Sequence, residues 1–223
     1  MNASTVRQQI VDAAISLAEQ KNWESVRLHE VAARLELSLD DIRVEFSEKD
    51  QLVDAWFDRA DSAMLADTAE SPQTGLNCQQ RMHRAIMTWL SALSAHRRVT
   101  RQMILGKLEP GHIHIQIPAL MRISRTVQWM REAAGYDASL PQRAIEETIH
   151  TGIYLATFSY WMFDDSLNAE QTGQFLHKQL ERARFLFSCH QGQGQAQVND
   201  DNQPATPYAS DSRTSPGEAG PFH

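Results

Sequence analysis

The chain has little cysteine and no long apolar segment, and these absences exclude two broad classes of protein. Cys78 and Cys189 are the only cysteines among 223 residues and form no CxxC pair. A zinc site built on cysteines and the multi-disulfide framework of small secreted domains are therefore excluded. The most apolar stretch, residues 153–163, is much shorter than the roughly 20 residues of a membrane-spanning helix. We expect a cytoplasmic protein without a membrane span.

Sequence motifs of enzymes are missing as well. The chain contains no GxSxG, no P-loop, no dinucleotide-binding glycine fingerprint and no HExxH, so no nucleophile and no cofactor cradle is marked. His112, His114 and His150 could be metal ligands, but no carboxylate-rich set accompanies them and they also fit as ordinary polar residues. We expect no enzyme activity, no catalytic residue, no cofactor and no metal.

Negative charge is unevenly distributed. Residues 1–66 carry seven Lys or Arg against thirteen Asp or Glu, residues 67–190 are nearly balanced, and residues 191–223 carry one cation against four acids. Proteins that bind nucleic acid gain most of their affinity from cations placed on phosphates. Any contact between the N-terminal region and DNA must therefore come from a local group of cations, for which Arg27, Arg43 and Lys49 are the candidates.

Residues 28–52 carry the pattern of two short helices joined by a tight turn and followed by the start of a third. The apolar positions that predict the packing of these helices are Val31, Ala32, Leu35, Leu37, Ile42 and Phe46. Ser38 and Asp41 have the spacing of a capping box at the start of the second helix. The pattern predicts a helix-turn-helix, whose second helix is the one that enters a DNA major groove.

Apolar residues recur at helical spacing over most of the remaining chain. They predict helices over residues 5–20, 50–67, 99–108, 119–134, 141–164 and 168–188, and one from Cys78 to the basic corner at residues 96–98. Residues 112–117 alternate as in a strand, but no partner strand is predicted, so a loop or a helix start is the better interpretation. We expect domains over residues 1–67 and 78–190, a linker over residues 70–77, and a disordered polar tail over residues 191–223.

The N-terminal region resembles the DNA-binding domain of the tetracycline-repressor (TetR) family of transcriptional regulators. The resemblance covers about the first sixty residues and rests on Ile10, Ala13, Ala14, Leu17, Val31, Ala32, Leu37, Ser38, Phe46, Lys49 and Leu52. It implies an all-α fold with an N-terminal helix-turn-helix domain and a C-terminal helical domain that binds a ligand and forms a homodimer. Arg27, Glu36 and Arg43 replace the Thr, Gly and aromatic residue that are usual in the family.

The resemblance also implies which residues meet a partner. The predicted DNA-binding residues are Arg27, Ser38, Leu39, Asp40, Arg43 and Lys49. The predicted lining of a pocket for a small hydrophobic effector is Trp89, Met103, Trp129, Tyr154, Phe158, Trp161 and Met162. Aromatic and methionine residues at helical spacing also fit a simple core. A basic cluster at residues 97, 98 and 101 could hold an acidic ligand or be a solvated helix end.

The second half resembles a further family, the TetR-like accessory proteins of ubiquinone biosynthesis that bind isoprenoid lipid. This resemblance rests on residues 164–168, Thr172, Phe175, Leu176 and Leu180. Three functions therefore stay open. A ligand-responsive transcriptional regulator that binds an operator as a homodimer is the first prediction, a lipid-binding accessory protein is the alternative, and a dimeric interaction protein without a small ligand is the third. For the dimer, the predicted helices over residues 141–164 and 168–188 are the expected contact.

Overall fold

The computed structural model describes residues 3–71, 73–107, 113–137 and 142–184. The helices in these ranges are α1 (Ala3–Gln20), α2 (Leu28–Arg34), α3 (Leu39–Glu45), α4 (Asp50–Glu70), α5 (Cys78–Leu93), α6 (Arg97–Lys107), α7 (Ile113–Ala134), α8 (Gln142–Trp161) and α9 (Glu170–Ala183). Short 3₁₀ turns precede α6 and α9. The described ranges contain no strand, so the all-α prediction is confirmed.

The helix starts and ends follow the apolar periodicity closely. The strand-like alternation at residues 113–117 belongs to the first turns of α7, so the interpretation as a helix start is confirmed. Gly135 ends α7 with a φ of +74°, a backbone conformation that glycine adopts without strain. Cys189 and the predicted tail over residues 191–223 lie outside the described residues.

Helices α1 to α3 form a small bundle around a buried apolar centre. Ile10 and Ala14 of α1 meet Val31 of α2, Ile42 of α3 and Phe46, and all five are almost fully buried. Each large side chain of this kind stabilises the fold by about 1.5–3 kcal/mol through burial. Trp23, in the loop after α1, is also buried. It belongs to the same apolar cluster as these five residues.

Helix α4 links this bundle to the C-terminal helices. It contacts α1 on one side and packs along α5 and α7 on the other. Its buried residues are Leu52, Val53, Ala55, Trp56, Phe57, Ala60 and Met64. The division into domains at residues 67 and 78 stays a prediction, because the buried residues of α4 belong to one continuous apolar core.

A cluster of aromatic rings fills the C-terminal bundle. Phe57 of α4 lies parallel to Trp89 of α5, with ring centroids 5.7 Å apart. Tyr154 and Phe158 of α8 meet Trp89 edge-on, and Phe158 stacks on Trp161. Such pairs contribute about 0.5–1.5 kcal/mol each beyond the area they bury. The cluster therefore fixes the relative positions of α4, α5 and α8.

The corner between α8 and α9 is held by one carboxylate. Asp164 accepts hydrogen bonds from the backbone nitrogens of Ser166 and Thr172, each at 2.8 Å. Burial acts to raise the pKa of Asp164, but the hydrogen bonds from Ser166 and Thr172 outweigh it and lower the pKa to about 2. Asp164 and Thr172, two of the residues behind the resemblance to the lipid-binding family, thus have a local structural role in starting α9.

A buried polar group joins α7 to α8. Arg131 donates from Nη1 to Nδ1 of His150 at 2.9 Å and from Nη2 to Oε2 of Glu146 at 3.2 Å. All three side chains are almost completely buried. Burial, and secondarily the charge of Arg131, lowers the pKa of His150 to about 3. His150 is therefore neutral in the folded protein at any pH near neutrality.

This lowered pKa makes the fold sensitive to acid. His150 binds a proton below pH ~6.5 in the unfolded chain, but only below about pH 3 in the folded chain. The contribution of neutral His150 to the free energy of unfolding is therefore complete above pH ~6.5 and is lost as the pH falls. We expect the free energy of unfolding to fall by about 2 kcal/mol more between pH 7 and pH 5 in the parent protein than in His150→Gln. Urea denaturation at fixed protein concentration measures the free energy of unfolding of both proteins at each pH.

The matched control for this prediction is His29→Gln, which removes an exposed histidine on α2. It should keep the pH dependence of the parent. Equal slopes for the parent and for His150→Gln would contradict the assignment of a buried neutral imidazole.

Candidate nucleic-acid interface and effector region

The turn between α2 and α3 contains a non-glycine residue in the left-handed backbone conformation, which glycine would adopt without strain. Glu36 has a φ of +57°, and Leu37 donates its backbone N–H to the carbonyl of Ala32 at 2.9 Å. Leu37 packs its side chain against the core. The sequence departure at Glu36 therefore falls on the position of the turn that a side chain strains, while the geometry of the turn is retained.

Helix α3 begins with a complete capping box. The Ser38 hydroxyl accepts from the backbone nitrogen of Asp41 at 3.1 Å, and the Asp41 carboxylate accepts from the backbone nitrogen of Ser38 at 2.9 Å. Hydrogen bonds from the Ser38 hydroxyl and backbone lower the pKa of Asp41. The predicted cap is confirmed, and both of its side chains are committed to holding the first turn of α3.

One face of α3 is left open to solvent. Ile42 points into the core, whereas the side chains of Leu39 and Val44 are 56% and 71% exposed. On the same open face, Arg43 donates from Nε at 3.0 Å and from Nη2 at 2.8 Å to one oxygen of Asp40. Four of the predicted DNA-binding residues, including Ser38, thus lie at the start of α3 or along its exposed side.

The other two predicted DNA-binding cations are placed differently. Arg27 precedes α2 and donates from Nη1 to the carbonyl of Glu24 at 2.8 Å, while staying exposed. Lys49 donates to the carbonyl of Trp23 at 2.6 Å and lies 4.8 Å from the centre of the Trp23 ring. Burial lowers the pKa of Lys49. Its side chain therefore serves first to tie the loop after α1 to the start of α4.

Every Lys and Arg among residues 3–66 already has an acceptor within that segment. Arg43, Lys21 and Arg59 pair with the carboxylates of Asp40, Glu30 and Asp12. The remaining four, which donate to carbonyl or hydroxyl oxygens, are Arg7, Arg27, Arg34 and Lys49. A DNA phosphate must therefore compete with an acceptor that the protein already supplies, or share the cation with it.

The predicted effector-lining residues divide into a buried set and one exposed residue. Six of them are almost fully buried in the C-terminal bundle, namely Trp89, Met103, Tyr154, Phe158, Trp161 and Met162. Trp129 of α7 is 47% exposed and does not reach the aromatic cluster. Burial, and secondarily the charge of Asp61, raises the pKa of Tyr154. The Tyr154 hydroxyl is therefore neutral and can donate a hydrogen bond.

A polar node beside the aromatic cluster was not predicted from the sequence. Asp61 of α4 accepts from Nε1 of Trp89 at 2.7 Å and from the hydroxyl of Thr126 at 3.1 Å. Arg122 of α7 donates to Asp58 at 2.7 Å and reaches Asp61 at 3.4 Å. The available signal was the position of Asp61, four residues after Phe57 and next to Ala60 on the apolar stripe of α4.

The three arginines of the basic cluster at the start of α6 each have an acceptor within the protein, although Arg98 stays exposed to solvent. Arg98 donates to Glu19 of α1 at 2.8 Å. Arg97 donates to the carbonyl of Asp164, and Arg101 donates to the carbonyl of Met162 at 3.3 Å. The three arginines tie α6 to the N-terminal bundle on one side and to the end of α8 on the other.

The structure also has an open cleft that the sequence did not suggest. A space of about 800 Å³ lies between the first half of α5 and α9, and none of the predicted effector residues lines it. Its walls include Gln79, which donates to Glu181, and His83, which contacts the carbonyl of Gly173. The described residues contain no group of three or more His, Cys, Asp or Glu side chains placed to hold a metal ion.

The chain is similar to a solved TetR transcriptional regulator from Nitrosomonas europaea ATCC 19718. Sequence identity is 54%, the match covers 81% of this chain and 99% of that one, and the TM-score is 0.72. The chain belongs to the TetR family. A TetR regulator from Rhodococcus sp. RHA1, at 17% identity, has the same fold with a TM-score of 0.61 over 81% of this chain and 97% of its own. No protein-family model and no curated protein matches the chain.

Membership of the TetR family accounts for the helix-turn-helix and for the helical bundle behind it. The relative at 54% identity is a transcriptional regulator, and nothing in the described structure favours the lipid-binding alternative. In the parts of this TetR protein that the structure describes, no helix has the length and apolarity to cross a bilayer.

The left-handed turn residue gives a stability prediction. A side chain in this conformation costs about 1–2 kcal/mol, whereas a glycine there costs about 0.4–1 kcal/mol through the entropy of the unfolded chain. We expect Glu36→Gly to stabilise the protein by up to about 1 kcal/mol, measured as a shift of the urea midpoint with an unchanged m value.

The matched control is Ala33→Gly, an exposed position inside α2, which should destabilise by about 1 kcal/mol. Loss of stability in Glu36→Gly equal to that in Ala33→Gly would mean that the turn does not strain Glu36.

Proposed function

We propose that this TetR-family protein is a cytoplasmic, ligand-responsive transcriptional regulator that binds its operator as a homodimer. In this mechanism α3 of each protomer enters a major groove, and the two grooves are one helical turn apart, about 34 Å. An effector in the C-terminal bundle changes the spacing of the two α3 helices and thereby the affinity for the operator. The observation that carries the proposal is the exposed face of α3 in a chain that belongs to the TetR family. A complete capping box fixes the first turn of this helix.

The proposed operator contacts follow from where the side chains lie. Arg43 projects from the open face of α3 with its side chain 70% exposed, so it can reach a base edge or a phosphate. Ser38 and Leu39 lie at the start of the same helix, next to Asp40. Arg27 lies at the start of α2 and is assigned to the DNA backbone. Lys49 contributes indirectly, since its ammonium holds the loop that carries Trp23.

The proposed dimer contact is the outer face of α8. Ile145, Leu155, Tyr160 and Phe163 are exposed apolar residues on or just after this helix. Tyr160 also stacks on Phe175 of α9, with ring centroids 4.9 Å apart. A second copy of the chain related by two-fold symmetry would cover this surface, and such dimers are the commonest protein assemblies.

The proposed effector is an apolar molecule with a hydrogen-bonding group. The aromatic cluster around Trp89, Tyr154 and Phe158 supplies an apolar wall, and the Tyr154 hydroxyl and the Asp61–Arg122 pair supply polar contacts beside it. A change at this wall would reach the N-terminal bundle by two routes. One is α4, which carries both Phe57 and Asp61, and the other is the contact of Arg98 with Glu19.

Replacement of Arg43 tests the proposed DNA contact. If Arg43 contacts a guanine edge, Arg43→Ala should weaken binding to the operator by about 1–3 kcal/mol and relax the preference for guanine at that position. The measurement is a fluorescence-anisotropy titration at low salt with a duplex that the parent protein selects from genomic fragments.

Arg182→Ala is the matched control, because it removes an exposed arginine from α9, far along the chain from α3. It should bind the same duplex as tightly as the parent. An equal effect of the two substitutions would exclude Arg43 as an operator contact.

A further inference from the structure

We propose that Asp40 and Arg43 act together as the selectivity element of α3, reading a G·C base pair as a unit and keeping binding to other DNA weak. The inference rests on the proposed function, since it assumes that α3 enters the major groove. It adds an acidic residue to the reading surface, where a carboxylate would ordinarily weaken attraction to DNA.

The geometry places the two side chains as one recognition unit. They are three residues apart on α3, and two of the three guanidinium nitrogens of Arg43, Nε and Nη2, donate to the same oxygen of Asp40. Among the described residues, no donor is hydrogen-bonded to the second oxygen of Asp40. Both side chains are exposed, at 70% for Arg43 and 73% for Asp40. A base pair can therefore reach the cation and the free oxygen at the same time.

The neighbouring acid cannot take this role. The Asp41 carboxylate accepts from both the backbone nitrogen and the hydroxyl of Ser38 and so belongs to the helix cap. Asp40 has no hydrogen bond to the cap and is bonded only to Arg43 within the described structure. Of the two acids in the first turn of α3, Asp40 is thus the one available to a ligand.

The chemistry of the major groove distinguishes a G·C pair from a phosphate. Guanine presents two acceptors, O6 and N7, which match a pair of N–H groups of the Arg43 guanidinium, and cytosine presents an amino donor that a carboxylate accepts. A phosphate satisfies Arg43 but leaves Asp40 beside another negative charge. An exposed ion pair of this kind is weak. Arg43 can therefore exchange Asp40 for guanine readily when cytosine at the same time donates to Asp40. The affinity for DNA is therefore lower where the contacted position is not this G·C pair.

The test uses the full-length protein and three duplexes of equal length. The first is selected by the parent from a random-sequence library, the second has the contacted G·C pair changed to A·T, and the third is unrelated in sequence. The specificity ratio is the Kd for the unrelated duplex divided by the Kd for the selected one. We expect Asp40→Asn and Asp40→Ala to bind the unrelated duplex more tightly, and to lower this ratio about tenfold or more.

Glu36→Gln is the matched control, because Glu36 is an exposed acid of the same helix-turn-helix and loses the same charge. It should leave the ratio unchanged. Equal tightening on all three duplexes in the Asp40 variants would overturn the proposal, since Asp40 would then be only a competitor for Arg43. Unchanged affinities, with folding verified by circular dichroism, would also overturn it. Selection of no sequence by the parent would instead refute the proposed function itself.

Discussion

Burial of α4 in an apolar core that is continuous from the N-terminal helices to the C-terminal helices is the constraint on which the rest of this structure depends. The N-terminal part of α4 supplies Leu52 and Val53 near the helix-turn-helix, and its later turns supply Phe57 and Met64 to the C-terminal bundle. Phe57 lies flat on Trp89, and its own helix carries Asp61, the acceptor for the Trp89 indole. Helix α4 therefore connects the aromatic cluster directly to α1 of the N-terminal bundle.

The N-terminal region has a net negative charge, so few of its cations are available to DNA. Acidic side chains outnumber basic ones almost two to one in residues 1–66, and the seven cations each already have an acceptor in the bundle. Arg59 and Lys21 use their charges in ion pairs within the bundle, and Lys49 holds the Trp23 loop. Binding by bulk attraction to phosphates is disfavoured under these conditions. Recognition must depend on a few well-placed contacts, of which those of α3 are the most exposed.

The sequence predicted the helices of this protein well, because apolar residues at a period of 3.6 report which face of each helix is buried. It also predicted the Ser38 cap and the unusual residue at Glu36, since both depend on residues close together in the chain. It did not predict the Asp61 node, the Arg131–Glu146–His150 group or the partners of the α6 arginines. Their partners come from different helices, and only the packing of those helices decides which polar groups meet.

The placement of two α3 helices in successive major grooves is tested most directly by hydroxyl-radical footprinting of a DNA fragment selected by the full-length protein. The account predicts two protected segments related by two-fold symmetry, on one face of the duplex and about 10 base pairs apart from centre to centre. A single protected segment, or uniform weak protection along the fragment, would contradict it.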